Sequence, residues 1–173
     1  MKKILKKNNE VEHIISSIAL IDSKWIKKIK KKSLKNKSGK FRTCIHSSED
    51  SKVHEMLIVH NKDTYVRPHK HKISGESIHI LEGKCNLLLF NNNGTVSNSI
   101  ELGDFSSGLP FFFNVKKSVF HTFIIKTKFL VFKETKSGPF KLDNTVYASW
   151  APSNNSKKIH DYLIEIKSKN NIR

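Results

Sequence analysis

The chain has 173 residues, long enough for a single domain with a buried core, and 32 Lys plus Arg against 15 Asp plus Glu give it a formal net charge of +17. That balance excludes cationic partners and favours phosphates, acidic sugars or other anions. Lysine and asparagine are nevertheless spread from "KKILKKNNE" to "KSKNNIR", so the excess reads as solvated surface, and a nucleic-acid site is not expected.

The first segment, "MKKILKKNNEVEH", is basic but carries Glu10 and Glu12, and the apolar patch after it is short, so it does not read as a secretory signal. No stretch approaches the roughly 20 apolar residues of a membrane span. Cys44 and Cys85 form no CxxC pair, so free thiols and a cytoplasmic setting are expected. Asp22 is placed to cap a helix through "SKWIKKIKKKSLK", with Trp25, Ile26 and Ile29 as its apolar stripe and lysines on the wet face. Residues 1–40 therefore read as a helical extension.

From Phe41 the pattern changes to short strand-like runs: "FRTCIH", "VHEMLIVH", "TYVRPH", "ESIHILEG", "KCNLLLF", "TVSNSIEL", "SVFHTFII" and "KFLVFKET". Turn chemistry separates them, notably "NNNG" at 91–94, a hairpin signal. No helical pattern intervenes, so residues 41–140 predict an antiparallel β-barrel or sandwich rather than βαβ units. The "FFF" at 111–113 reads as core or interface hydrophobe. After Pro139 the chain looks irregular until "SKKIHDYLIEIKSK" restores helical spacing at Ile159, Tyr162, Leu163 and Ile166, so 141–173 is a C-terminal segment and helix.

The chemistry concentrates in "YVRPHKHKISGESIHILEG". In an extended strand His69 and His71 share a face, with Tyr65 and Arg67 at the same parity. After the turn at Gly75, Glu76 opens a strand whose face it shares with Ile78 and Ile80. A carboxylate among apolar neighbours is costly unless it is paired or bound to a cation. His121 in "SVFHTF" is a fourth donor that a closed barrel can bring across. His69, His71, Glu76 and His121 are thus candidate ligands for one divalent transition metal; Fe, Mn, Zn, Ni and Cu all suit such a set.

The spacing HxH, four residues, Glu, six residues, Gly, from His69 to Gly83, resembles the first motif of the cupin superfamily, and His121 resembles the lone histidine of its second. Asp63 stands where that pattern has a glycine before the first histidine, and Lys116 and Ser118 stand where it has proline and glycine before the second. A wider resemblance, to the WbuC-type cupin-fold metalloproteins, runs through "FRTCIHSSED", "MLIVH", "YVRPHKH", "LLLFNNNGTV", "IELGD", "FHTF", "ETKSGPF" and "SWAP", residues 41–152. It implies a jelly-roll barrel and a place in surface-polysaccharide (O-antigen-type) biosynthesis. It also implies a homodimer paired through edge strands.

Around the metal ligands, Arg67 could aim its fork at a carboxylate or phosphate, with Tyr65 beside it. Arg42 and His46 share a face and could line the same cavity, and Glu134 is the candidate carboxylate for proton transfer. His13, His54, His60, His79 and His160 have no ligand spacing and read as surface or packing residues; both cysteines read as inert. The leading expectation is a metal-binding protein that acts on or binds a small sugar-derived or anionic substrate. An isomerase, epimerase or oxygenase would use the ion to stabilise developing negative charge. The alternatives are a non-catalytic, metal-loaded sugar-sensing or assembly module, and a basic polyanion-binding β-domain.

Overall fold

The computed structural model describes residues 3–62 and 64–172. In chain order its elements are β1 (Ile4–Lys6), β2 (Val11–Ile14), α1 (Ser23–Lys35), β3 (Lys40–Cys44), β4 (Val53–Asn61), β5 (His69–His71), β6 (Glu76–Glu82) and β7 (Lys84–Phe90). Then follow β8 (Val96–Gly103), β9 (Phe112–Val115), β10 (Phe120–Ile125), β11 (Phe129–Ser137), β12 (Thr145–Tyr147) and α2 (Ile159–Lys169). One sheet runs β1-β2-β3-β4-β11-β6-β9 and the other β12-β5-β10-β7-β8. The pairings are antiparallel except β2 with β3. The two sheets enclose one core, and the molecule is a mainly β jelly roll with one helix between β2 and β3 and another after β12.

Alternation along the strands builds the core. On β7, Cys85 and Leu87 point between the sheets while Leu88 and Phe90 point out; on β10, Phe123 and Ile125 point in while Phe120 and Ile124 point out. The inner layer joins these to Met56, Ile58, Ile78, Ile80, Leu130 and Phe132. Each outer face is then covered. Helix α1 lays Trp25 and Ile29 over Ile14, Phe41, Leu57, Val59 and Val131, and α2 with its preceding loop covers Leu88, Phe90, Phe120 and Ile124. Burying each such side chain contributes about 1.5–3 kcal/mol, so both terminal segments are firmly docked.

The helix predicted after Asp22 forms over the expected stretch, and the Asp22 carboxylate accepts the Trp25 backbone N–H at 2.7 Å. Lys24, Lys27, Lys28, Lys31 and Lys35 stay exposed. The extension is not helical alone. It also supplies β1 and β2, which extend the first sheet beyond β3. Two further short strands, β9 within the "FFF" region and β12 in the segment read as irregular, complete the sheets. Phe112 on β9 is exposed, whereas Phe113 packs edge-on against Phe123.

The "NNNG" hairpin joins β7 to β8, with Gly94 at φ +89° facing the Trp150 ring. Gly83, between β6 and β7, sits at φ +91°, and a Cβ there would lie 2.2 Å from the Phe129 carbonyl oxygen. We expect Gly83→Ala to destabilise the fold by about 2 kcal/mol or more, read as a fall in the chemical-denaturation midpoint. An unchanged midpoint would mean that the turn relaxes freely. Ser118, which stands at the position of the cupin-motif glycine, adopts φ +66°, and its N–H donates to the His71 carbonyl at 2.8 Å. Asp63, the other departure next to the first motif, lies outside the described residues.

Candidate metal centre

Three strands from both sheets converge on one point. β5 carries His69 and His71, β10 lies beside it with His121 directly opposite His69, and β6 of the facing sheet aims Glu76 inward in register with Ile78 and Ile80. One donor atom from each of His69, His71, Glu76 and His121 lies within 4.8 Å of the others. The Glu76 carboxylate bridges two rings, accepting from His71 Nε2 and from His121 Nε2, each at 2.9 Å.

The ring nitrogens turned away from this point are fixed by main chain. His69 Nδ1 donates to the Arg67 carbonyl at 3.0 Å and His121 Nδ1 to the Val119 carbonyl at 2.9 Å. Such outer hydrogen bonds select the tautomer and hold an imidazole for a cation. His121 therefore has an oxygen against each ring nitrogen, an arrangement that suits the imidazolium. Burial opposes that charge, but the bond to Glu76 and its negative charge outweigh it and raise the His121 pKa. Burial likewise opposes the Glu76 charge, yet the His121 and His71 hydrogen bonds hold its carboxyl well below the usual range. His69 borders the cavity but is desolvated enough, with His121 beside it, to fall to about 3, and so keeps a free lone pair on Nε2. Protons thus lie between imidazole nitrogens and a carboxylate, where a divalent cation would satisfy the same donors. The residues fit a metal.

His69, His71 and Glu76 of the cluster line a cavity of about 240 Å³, which Arg42, Arg67, Glu134 and Lys136 also line. Glu134 is not a free carboxylate: Lys136 pairs with it at 3.2 Å. Arg67 Nη2 donates to the Ala148 carbonyl at 2.7 Å and the guanidinium lies 5.4 Å from the Tyr147 ring, while its buried Nε has no partner among the described residues. Tyr65 and His46 do not line this cavity. Tyr65 turns its ring to Tyr162 and donates its hydroxyl to the Pro152 carbonyl at 2.9 Å, and burial pushes its phenol up to about 12. The parity that grouped it with the histidines fails because residues 64–68 are not a strand. His46 lies beyond the end of β3, stacked on His54.

Sequence reasoning missed Lys136, which shares the inward parity of Phe132 and Glu134 on β11, and His60, read as a packing residue. His60 lines the cavity edge-on to Phe132, with a buried Nδ1 that lacks a partner among the described residues. Burial, then the charges of Lys40 and Arg42, holds its pKa far below the ordinary histidine value.

A family profile described as "Domain of unknown function (DUF6016)" matches residues 21–102, just under half of the chain. No curated protein matches the sequence. Among solved structures, a protein of Shewanella oneidensis is 15% identical, with a TM-score of 0.53, over 64% of this chain and 74% of its own. A recombinant pro-11S globulin of pumpkin is 12% identical, with a TM-score of 0.51, over 65% of this chain and 29% of its own, so this chain spans under a third of the globulin. Both likenesses are of fold, a jelly roll of two facing sheets. A cupin family protein of Methanocaldococcus jannaschii, described as having a double-stranded β-helix fold, aligns more loosely, 17% identical with a TM-score of 0.41 over 51% of this chain and 72% of its own. Among the described residues, no helix is long and apolar enough to cross a membrane.

Proposed function

We propose that this cupin barrel holds one divalent transition metal on His69, His71, Glu76 and His121 and binds a small, oxygen-rich anion, carboxylate or sugar-derived, beside it. The observation that carries this reading is the meeting of a preformed His/Glu cluster and several cationic side chains in one cavity. The bound ion would supply Lewis-acid stabilisation of negative charge on a substrate oxygen. Arg67 would orient the ligand through its unpartnered Nε, with Arg42 opposing the same charge, and the apolar walls at Ile58, Phe123 and Phe132 would limit water. Glu134, if it moves a proton, does so as the partner of Lys136, which favours ligand capture over acid–base turnover as the primary role. Tyr65 and His46 would support the fold rather than touch the ligand.

The WbuC-type resemblance adds surface-polysaccharide synthesis as the biological setting and pairing of two copies through sheet edges. Exposed Phe112 on edge strand β9 supports the pairing. Two buried free cysteines accord with a cytoplasmic setting. The test is calorimetric titration of hydroxy- and keto-carboxylates, sugar phosphates and nucleotide sugars into metal-loaded and chelator-stripped protein, followed by product analysis. One class should bind the loaded form at least about tenfold more tightly, a difference of about 1.4 kcal/mol. Affinity indifferent to metal but falling steeply with salt would instead favour the polyanion-binding alternative.

A further inference from the structure

His13, Cys44 and His46 form a second group of metal-ligating side chains, with one donor atom from each within 4.8 Å of the others. None of the three lines the cavity that holds the His69 cluster. His13 on β2 and Cys44 on β3 stand opposite each other in the parallel register of those strands, and His46 follows two residues later. His46 Nδ1 is engaged by the main chain of Glu55, 3.0 Å from its carbonyl oxygen, which leaves Nε2 as the available donor. His13 is hydrogen-bonded to the backbone of His46, so it too keeps one nitrogen for a ligand. His54 closes one side, its ring stacked on His46 at 4.0 Å and its Nε2 donating to the Glu49 carbonyl at 3.0 Å.

We propose that His13, Cys44 and His46 bind a second, borderline-soft metal ion, with Zn²⁺ the best match, that staples the N-terminal strands to the barrel. The donor set decides the class: one sulfur and two imidazoles suit Zn²⁺, Co²⁺ or Cu⁺ and disfavour the oxygen-seeking Mg²⁺ and Ca²⁺. Without metal, burial pushes the Cys44 thiol up to about 11, so it rests protonated; on binding, its S–H proton passes to solvent and the sulfur lone pair goes to the metal. His46 is only half-buried and gives the ion a route in, with a fourth position open to water.

The test is a Co²⁺ titration of the full chain, stripped with chelator and kept reduced. Wild type should take up two equivalents, one of them with a thiolate-to-cobalt charge-transfer band. Cys44→Ser should lose that band and one equivalent, and His71→Ala should lose the other equivalent and keep the band. His46→Gln, at a position exposed enough to tolerate change, should weaken the band-forming site by more than about tenfold. A wild type without the band, a band that survives Cys44→Ser, or an unchanged affinity in His46→Gln would overturn the proposal. Loss of only the band-free equivalent from wild type would count against the cavity metal and leave this site standing.

Discussion

Glu76→Gln should leave the barrel folded and lower divalent-metal affinity at the cavity by more than about a hundredfold, measured in a Cys44→Ser background so that one site titrates alone. Glutamine has the same shape and can still accept a hydrogen bond from one of the two rings that Glu76 now bridges, so packing around Ile78 and Ile80 is retained. What it removes is the negative charge in a buried cluster of imidazoles. Changes to groups one step outside a metal's ligands already cost about 10–100-fold, and a direct anionic ligand should cost more. Circular dichroism of metal-free protein should match wild type, while its thermal midpoint should fall, because His121 loses the buried counter-charge that holds its proton. If the variant retained full metal content, the carboxylate would be a structural partner of His71 and His121 and the cavity metal would lose its basis.

Arg67→Lys should retain the metal and weaken anion binding by about ten- to a hundredfold. A hydrogen bond to a charged group is worth about 1.5–3 kcal/mol, and the guanidinium fork presents a planar donor array that an ammonium cannot copy. Here the fork is already anchored, with Nη2 on the Ala148 carbonyl and the plane near Tyr147, so little freedom is lost when a ligand meets Nε. Calorimetry with the panel member that binds wild type provides the comparison, beside elemental analysis for the metal. Equal affinity in the two proteins would make Arg67 a brace for the Ala148 loop.

The features readable in the sequence were those set by neighbours in the chain. Asp22, Trp25, Ile26 and Ile29 determine α1 within a few turns, and the alternation in "ESIHI" correctly put Glu76 on the face of Ile78 and Ile80. The four candidate metal donors do converge: parity and the HxH spacing group His69 and His71, whereas His121 follows only from the expectation of a closed barrel. The short strands β1, β2, β9 and β12 escaped because three- or four-residue segments owe their pairing to distant partners rather than to their own pattern. The same limit hid the second cluster. His13 and Cys44 meet only through a parallel pairing that bridges α1, and no local spacing announces it. At Tyr65 the rule itself failed, since parity holds only where the backbone is a strand.

The strand bearing His69 and His71 is flanked on its outer side by β12, which comes from the segment after the barrel proper: Thr145 pairs with His71 and Tyr147 with His69. The rim of the cup is therefore sewn shut by the tail of the chain, and the same ribbon that anchors α2 fixes where the two imidazoles can stand. Shape at the mouth and the placing of the donors cannot be altered separately, so any drift in the segment after Pro139 would be felt at His69 and His71 themselves.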